Sequence, residues 1–220
     1  MSEDNLGPCT LEGHFIRLVP LKMNHEEDLL LAAKDSDFSW MLSDVSNRES
    51  MESWLMEVTV NEIEGVTFPF AVQVKSNNQI IGTTRYMDIS ERHKRVEIGG
   101  TWYTKEHWGT VVNPESKYLL MKHAFEDWNA NRVQIKTDGN NVHSQRAILK
   151  LGATFEGRLR NHMVRRDGTL RDTMMYSILR DEWPSVSENL EKRISSFRDA
   201  HEKIDSNNFT NGTVDYRILK

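Results

Sequence analysis

The chain has 220 residues, 38% of them hydrophobic and 28% charged, with a formal net charge of −5 and a single cysteine, Cys9. That balance fits one folded domain with room for an appendage and excludes a chain disordered throughout. The acidic excess excludes the basic footprint of a nucleic-acid binder, and a lone cysteine excludes an internal disulfide or a cysteine-built zinc site.

No segment has the length and apolarity of a membrane span, and MSEDNLGPCT lacks the charged-then-apolar order of a secretory signal. The expectation is a cytoplasmic protein with no membrane and no nucleic-acid partner. Residues 1–10 read as a flexible N-terminus, 11–184 as the body and 185–220 as a C-terminal helix and tail. Leu11–Leu21 contains an opening strand, and Asn24 stands where a helix cap belongs, ahead of the apolar stretch Leu29–Ala33. Ser46 and Glu49 have capping-box spacing, and Met51, Trp54, Leu55 and Val58 form one stripe, so the spacing predicts a helix over 48–63. Strands follow at Phe68–Lys75, Gln79–Asp88 and Arg95–Thr104, the first two joined by an Asn77-Asn78 turn. Inside the third, Gly99-Gly100 predicts a bulge or a close backbone approach.

The strongest helix signal covers 113–128, with Asn113 as cap, Pro114 in the first turn and Glu115 at the positive end. Arg132–Thr137 is a short strand, and Val142–Leu151 a helix closed by Gly152. Ala153–Arg166 and Thr169–Leu179 are strands joined by Asp167-Gly168, and Pro184 ends the body. In 185–204, Leu190, Ile194, Phe197, His201 and Ile204 make an apolar stripe that either the main domain or a second copy must cover; a homodimer is the favoured cover. Asn211-Gly212 suggests a small terminal hairpin.

Phosphate-loop, GxGxxG, HExxH and GxSxG patterns are absent, and the eight histidines lack metal-ligand spacing, so no metal is expected. The informative pattern is a strand ending at Tyr103, a loop through His107-Trp108-Gly109-Thr110-Val111-Val112, and a helix start at Asn113. The first amides of a helix lack internal partners and attract anions, so such a loop can wrap donors around a phosphate. Asn141 and Ser144 place an amide and a hydroxyl at another helix start, where capping is the plainer reading.

The blocks EIGGTWYTKEHWGTVVNPESK, KTDGNNVHSQRAILKLGATFEG and DGTLRDTMMYSILRDEWP, in this order and spacing, make the region Leu11–Pro184 resemble the GNAT superfamily of N-acetyltransferases, in its ribosomal-protein (Rim-type) branch. The resemblance implies an α+β fold of three layers, α/β/α: a splayed, mixed and mostly antiparallel sheet of about seven strands, with acetyl-CoA as acetyl donor in the cleft between its central strands. It assigns Trp102, Tyr103 and Thr104 to the pantetheine arm, and Trp108, Gly109, Thr110, Val111, Val112 and Asn113 to the pyrophosphate. It places Asn141 and Ser144 near the thioester. The chain departs from the family's loop at Val111, where glycine is usual; φ must stay negative there and the side chain must turn away from the phosphates.

Making an amide from an amine and a thioester requires a neutral amine, an oxyanion donor and a proton for the departing thiolate. Glu97 is the candidate base, the alternative being a carboxylate paired with Arg95 or Arg85. Ser144 is the candidate donor to the leaving sulfur, ahead of Tyr118 and Tyr103, and a backbone amide within Gly100–Tyr103 the oxyanion donor. Trp40 and His162 are candidate acceptor-site residues, with Trp54 and Met41 nearby in the first helical segments, while Arg146 and Lys150 are candidates for a distal phosphate or are plain surface charges. The expected function is acetyl transfer to a primary amine, as on a peptide or protein N-terminus. The alternatives are a small-molecule amine or a binding protein that kept the fold without turnover.

Overall fold

The structure is a computed structural model that describes residues 6–34 and 36–207. Among the described residues, eight strands form one sheet: β1 (Leu11–Glu12), β2 (Ile16–Pro20), β3 (Phe68–Val74), β4 (Ile80–Ser90), β5 (Arg95–Tyr103), β6 (Arg132–Asp138), β7 (Thr154–Val164) and β8 (Leu170–Leu179). Their order is β1-β2-β3-β4-β5-β6-β8-β7, one strand more than the expected seven because Leu11–Glu12 pairs separately with β2. Among these strands β5 and β6 run parallel, and the other ladders are antiparallel.

The helices are α1 (Glu26–Ala33), α2 (Arg48–Ile63), α3 (Val112–Lys122), α4 (Val142–Leu149) and α5 (Trp183–Asn207). Alternation along the strands sends Ala71, Ile80 and Trp102 to one face, against Leu29, Met51, Trp54 and Leu55 of α1 and α2. It sends Phe70, Val72, Tyr86, Ile98, Val133 and Tyr176 to the other face, against α3, α4 and α5. The expected three layers are therefore present.

Helix starts differ from the sequence reading in an instructive way. Asn24 sits inside a short 3₁₀ turn, Met23–His25, rather than capping α1. The cap of α2 is Asn47, whose side chain accepts from the Ser50 amide, so the neighbouring asparagine displaces Ser46. α3 begins at Val112 and is capped by Val111, which places Asn113 within the first turn. Pro184 opens α5 rather than closing the body, because a missing N–H costs nothing in a first turn. Trp183, Val186, Leu190 and Ile194 are buried in the main core, and the Trp183 ring stacks on Phe125 with centroids 5.3 Å apart. The main domain itself covers the described part of that stripe; the side chains of His201 and Ile204, and the Asn211-Gly212 hairpin, lie outside what the structure describes.

Glu115 fixes where α3 points. Its carboxylate, 2% exposed, accepts from the amides of His14 (2.5 Å), Phe15 (3.0 Å) and Ile16 (3.1 Å), tying the first turn of α3 to the start of β2. Burial raises its pKa while those three bonds lower it, burial being the larger influence. Leu6, from the segment read as a flexible N-terminus, is also buried in this core.

Candidate active site

The parallel ladder is short: Arg95, Val96 and Glu97 pair with Arg132, Val133 and Gln134, and beyond that the strands part. β5 runs on to Tyr103 and β6 to Asp138, and each then leads into a helix, α3 and α4 respectively. Two helix N-termini thus stand at the carboxyl ends of diverging parallel strands, where open α/β sheets place ligands.

β5 carries the expected bulge. Thr83 opposes Trp102 and Arg85 opposes Gly99, so Gly100 and Thr101 together face Thr84. Gly100 has φ +56°, and a Cβ there would lie 2.5 Å from Arg85 Nε, so the glycine both permits the turn and makes room for the arginine.

In the loop before α3, Trp108 Nε1 donates to Tyr103 O (3.0 Å) and Thr110 Oγ1 to His107 O (2.8 Å), while Val112 N–H reaches Thr110 Oγ1. The amides of Gly109, Thr110, Val111 and Asn113 donate to no described residue. Gly109, at φ +75°, has open space where a Cβ would stand. Val111 has φ −65° and a side chain fully buried in the main core, so the valine meets both conditions its position imposes. These free donors fit a diphosphate such as that of acetyl-CoA.

Other cofactor candidates are more occupied. Tyr103 O accepts from both Ser36 Oγ and Trp108 Nε1, and Thr104 N–H donates to Ile81 O, so their backbone is engaged internally. Trp102 is 7% exposed, its side chain packed with α1 and α2. Asn141 Oδ1 accepts the Ser144 amide (2.9 Å), which is the capping role, while the Ser144 hydroxyl is partly exposed and bonds no described residue.

Glu97, 1% exposed, lies where the strands divide. Its partners are Lys136 Nζ at 2.9 Å and Gln134 Nε2 at 3.3 Å, rather than Arg95, which pairs with Asp88, or Arg85. Tyr118 bonds Glu191 of α5, and Tyr103, with its phenol pKa raised by burial, donates to Asn113 Oδ1 (3.4 Å). That bond points the Tyr118 hydroxyl to the α3–α5 side. Arg146 and Lys150 are exposed on or beside α4.

On the Glu97 face, Trp40 is 39% exposed and lies with Met41 in the loop between α1 and α2, not in a helix. Arg166 ties that loop to the β7–β8 turn, bonding Asp44 at 2.7 Å and Phe38 O at 3.0 Å. His162 Nδ1 lies 3.1 Å from Thr173 Oγ1, beside the end of β6. Trp40 and His162 thus sit on elements that this tether brings together, whereas Trp54 is in the core. No cluster of His, Cys, Asp or Glu among the described residues has the makings of a metal site.

Sequence reasoning missed Lys117. It is 5% exposed, and its ammonium donates to Thr84 Oγ1 (3.1 Å) and Thr101 Oγ1, behind the bulge, with no carboxylate paired to it among the described residues. The available signal was its spacing with Leu120 and Ala124, which puts a lysine on the buried stripe. Burial pushes its pKa down to about 7 from 10.5. Between these values the unfolded chain holds a proton that the folded chain has released, so stability rises with pH, by up to about 1.4 kcal/mol per unit. Lys117→Met is expected to flatten that rise in urea titrations at pH 6, 8 and 10. Parallel profiles for the two proteins would show that no shifted proton resides there.

Comparisons with known proteins agree with this architecture. The family model described as an acetyltransferase (GNAT) domain matches residues 16–154. The uncharacterized N-acetyltransferase p20 of Bacillus licheniformis is 29% identical over 141 residues, 64% of this chain and 76% of that one. A GCN5-related N-acetyltransferase from Brucella melitensis superposes with a TM-score of 0.79 at 27% identity, covering 84% of this chain and 85% of that one. RimL, a ribosomal L7/L12 α-N-protein acetyltransferase solved with coenzyme A, shares the fold at a TM-score of 0.67 and 18% identity, over 79% of this chain and 99% of its own. With a parted parallel pair, a bulged strand and unsatisfied amides at a helix start, this chain belongs to the GNAT family of acetyltransferases.

Proposed function

We propose that the protein transfers the acetyl group of acetyl-CoA to a primary amine, the α-amino group of a peptide or protein being the favoured acceptor. The observation that carries this reading is the run of free donors at Gly109, Thr110, Val111 and Asn113, at the mouth of the parted strands. Acetyl-CoA, when bound, supplies an activated acyl carbon; the chain supplies position and protons. Glu97 takes up the proton the amine gives up, directly or through a water, beside Lys136 Nζ at 2.9 Å. An α-amino group titrates at about 8 and a lysine at about 10.4, so an α-amino acceptor needs less help from a base. The bulge at Gly100–Thr101 frees an amide to face a developing oxyanion. The unengaged Ser144 hydroxyl is the donor to the leaving sulfur.

RimL's acceptor, a protein α-amino group, supports the acceptor class by likeness of fold. Acetyl-CoA is expected to raise the melting temperature, by about 2.7 kcal/mol of stabilisation at a hundredfold excess over its Kd. Thiol release should then follow on adding N-terminal peptides. No thermal shift at millimolar acetyl-CoA would reject the proposal.

A further inference from the structure

Two arginines on the Glu97 face have no hydrogen-bond partner among the described residues. Arg171, on β8, is 6% exposed, with its Nε buried and unbonded. The nearest carboxylate oxygen, Asp138 Oδ2, lies 3.9 Å from that Nε, and Asp138 is already gripped by Arg165 through Nε (2.7 Å) and Nη2 (2.9 Å). Arg85, on β4, lies across Gly100 at the bulge, and its Nε is likewise buried and unbonded. Register puts both on one side of the sheet: Arg85 opposes Gly99, two residues from Glu97, and Arg171 stands two residues before Thr173, the partner of Asp138. The charge of Glu97 acts on both guanidinium groups.

A guanidinium cannot shed its proton, so burying one without a partner is costly, and the cost is recovered when an anion arrives. Glu97 and Asp138 do not meet this demand, being engaged by Lys136 and Arg165. Glu57 and Glu97 act on Arg85, and Asp138, Asp167 and Asp172 on Arg165, yet among the described residues none of these carboxylates hydrogen-bonds Arg85 or Arg171. The amide-lined loop before α3 already provides for phosphate elsewhere, so the anion that belongs here arrives with the acceptor. Arginine's planar fork matches a carboxylate in two-point contact.

We infer that the acceptor carries a carboxylate a few bonds from its amine, and that this carboxylate docks on the unpartnered guanidinium of Arg171, with Arg85 adding to the field. The inference rests on the transferase reading above and names its acceptor class. Such a group is either the α-carboxylate of a free amino acid or an acidic side chain at the second residue of a peptide.

The test uses matched acid and amide acceptors: alanine against alaninamide, and Ser-Glu-Phe-amide against Ser-Gln-Phe-amide. In one pair or the other the acid is expected to have kcat/KM about 10- to 100-fold higher, mainly through KM, as a hydrogen bond to a buried charge is worth. The pair showing the preference identifies the source. Arg171→Met should bring the acid-to-amide ratio close to one, and Arg171→Lys, which keeps the charge should the methionine variant not fold, should leave an intermediate ratio. Thermal shifts with the N-acetylated forms of the same compounds read the carboxylate site without turnover. Acid and amide within twofold of each other in both pairs, in kinetics and in thermal shift, would overturn the inference. So would a wild-type preference surviving in Arg171→Met. If no amine releases thiol yet the acids alone stabilise the protein, the carboxylate site stands and the transferase reading falls.

Discussion

Glu97→Gln is expected to cost the protein twice, in stability and in rate, and the two losses are separable. The carboxylate is 2% exposed and pairs with Lys136, whose side chain is 22% exposed. Removing one partner strands the other charge, at a cost of about 2–3 kcal/mol after allowing for the lysine's access to water. The rate should fall about 10²- to 10³-fold if Glu97 takes up the amine's proton, with the largest deficit at low pH, where the acceptor amine is protonated. In Glu97→Gln/Lys136→Met the stranded ammonium is gone, so the urea midpoint should recover most of its loss while the rate does not. Recovery of both would make Glu97 a structural carboxylate. A pH–rate profile of unchanged shape in the single variant would also remove Glu97 from proton transfer.

Gly82→Ala should be the most damaging conservative change to the fold. Gly82 has φ +154°, and a Cβ there would sit 2.1 Å from Trp102 O and 2.8 Å from Tyr103 Cα. These are backbone atoms of the neighbouring strand, so no rotamer relieves the clash; β4 and β5 must separate where β5 enters the loop to α3. A loss of about 4 kcal/mol or more in urea unfolding is expected, enough to leave little folded protein at 37 °C. A loss under about 1 kcal/mol would mean that the strands approach less closely than described. Gly109→Ala is the contrasting position, since nothing lies near its Cβ direction and its cost reduces to the φ of +75°.

Periodicity and turn chemistry carried most of the architecture into view. The stripe Met51, Trp54, Leu55, Val58 yields α2 at its observed bounds, and Gly99-Gly100 yields the bulge. Asp167-Gly168 yields the last hairpin, with Gly168 at φ +80°. Caps were less legible because several Ser and Asn residues compete within a turn, and tertiary contacts decide among them: Glu115 is drawn to the amides of residues 14–16, and α3 starts at an apolar valine. The loop's residue order points to donors ahead of a helix start, yet the amides of Trp108 and Val112 are taken up by Lys105 O and Thr110 Oγ1. The pairing of charges is not legible in the sequence. Whether Glu97 meets Lys136 or Arg85 depends on register between β4, β5 and β6, which no local pattern encodes. A strand arginine such as Arg171 reads as a surface residue until burial is known.

The seam between β5 and β6 is only three residue pairs long. The sheet is therefore two blades sharing a brief stitch, β1–β5 on one side and β6–β8 on the other, braced from behind by the helices of the main core. Past Glu97 and Gln134 neither blade satisfies the other's facing edge, so a molecule laid in the gap acts as mortar and makes the joint that the polypeptide leaves unbuilt. Occupancy and rigidity of the cleft are in that sense a single property.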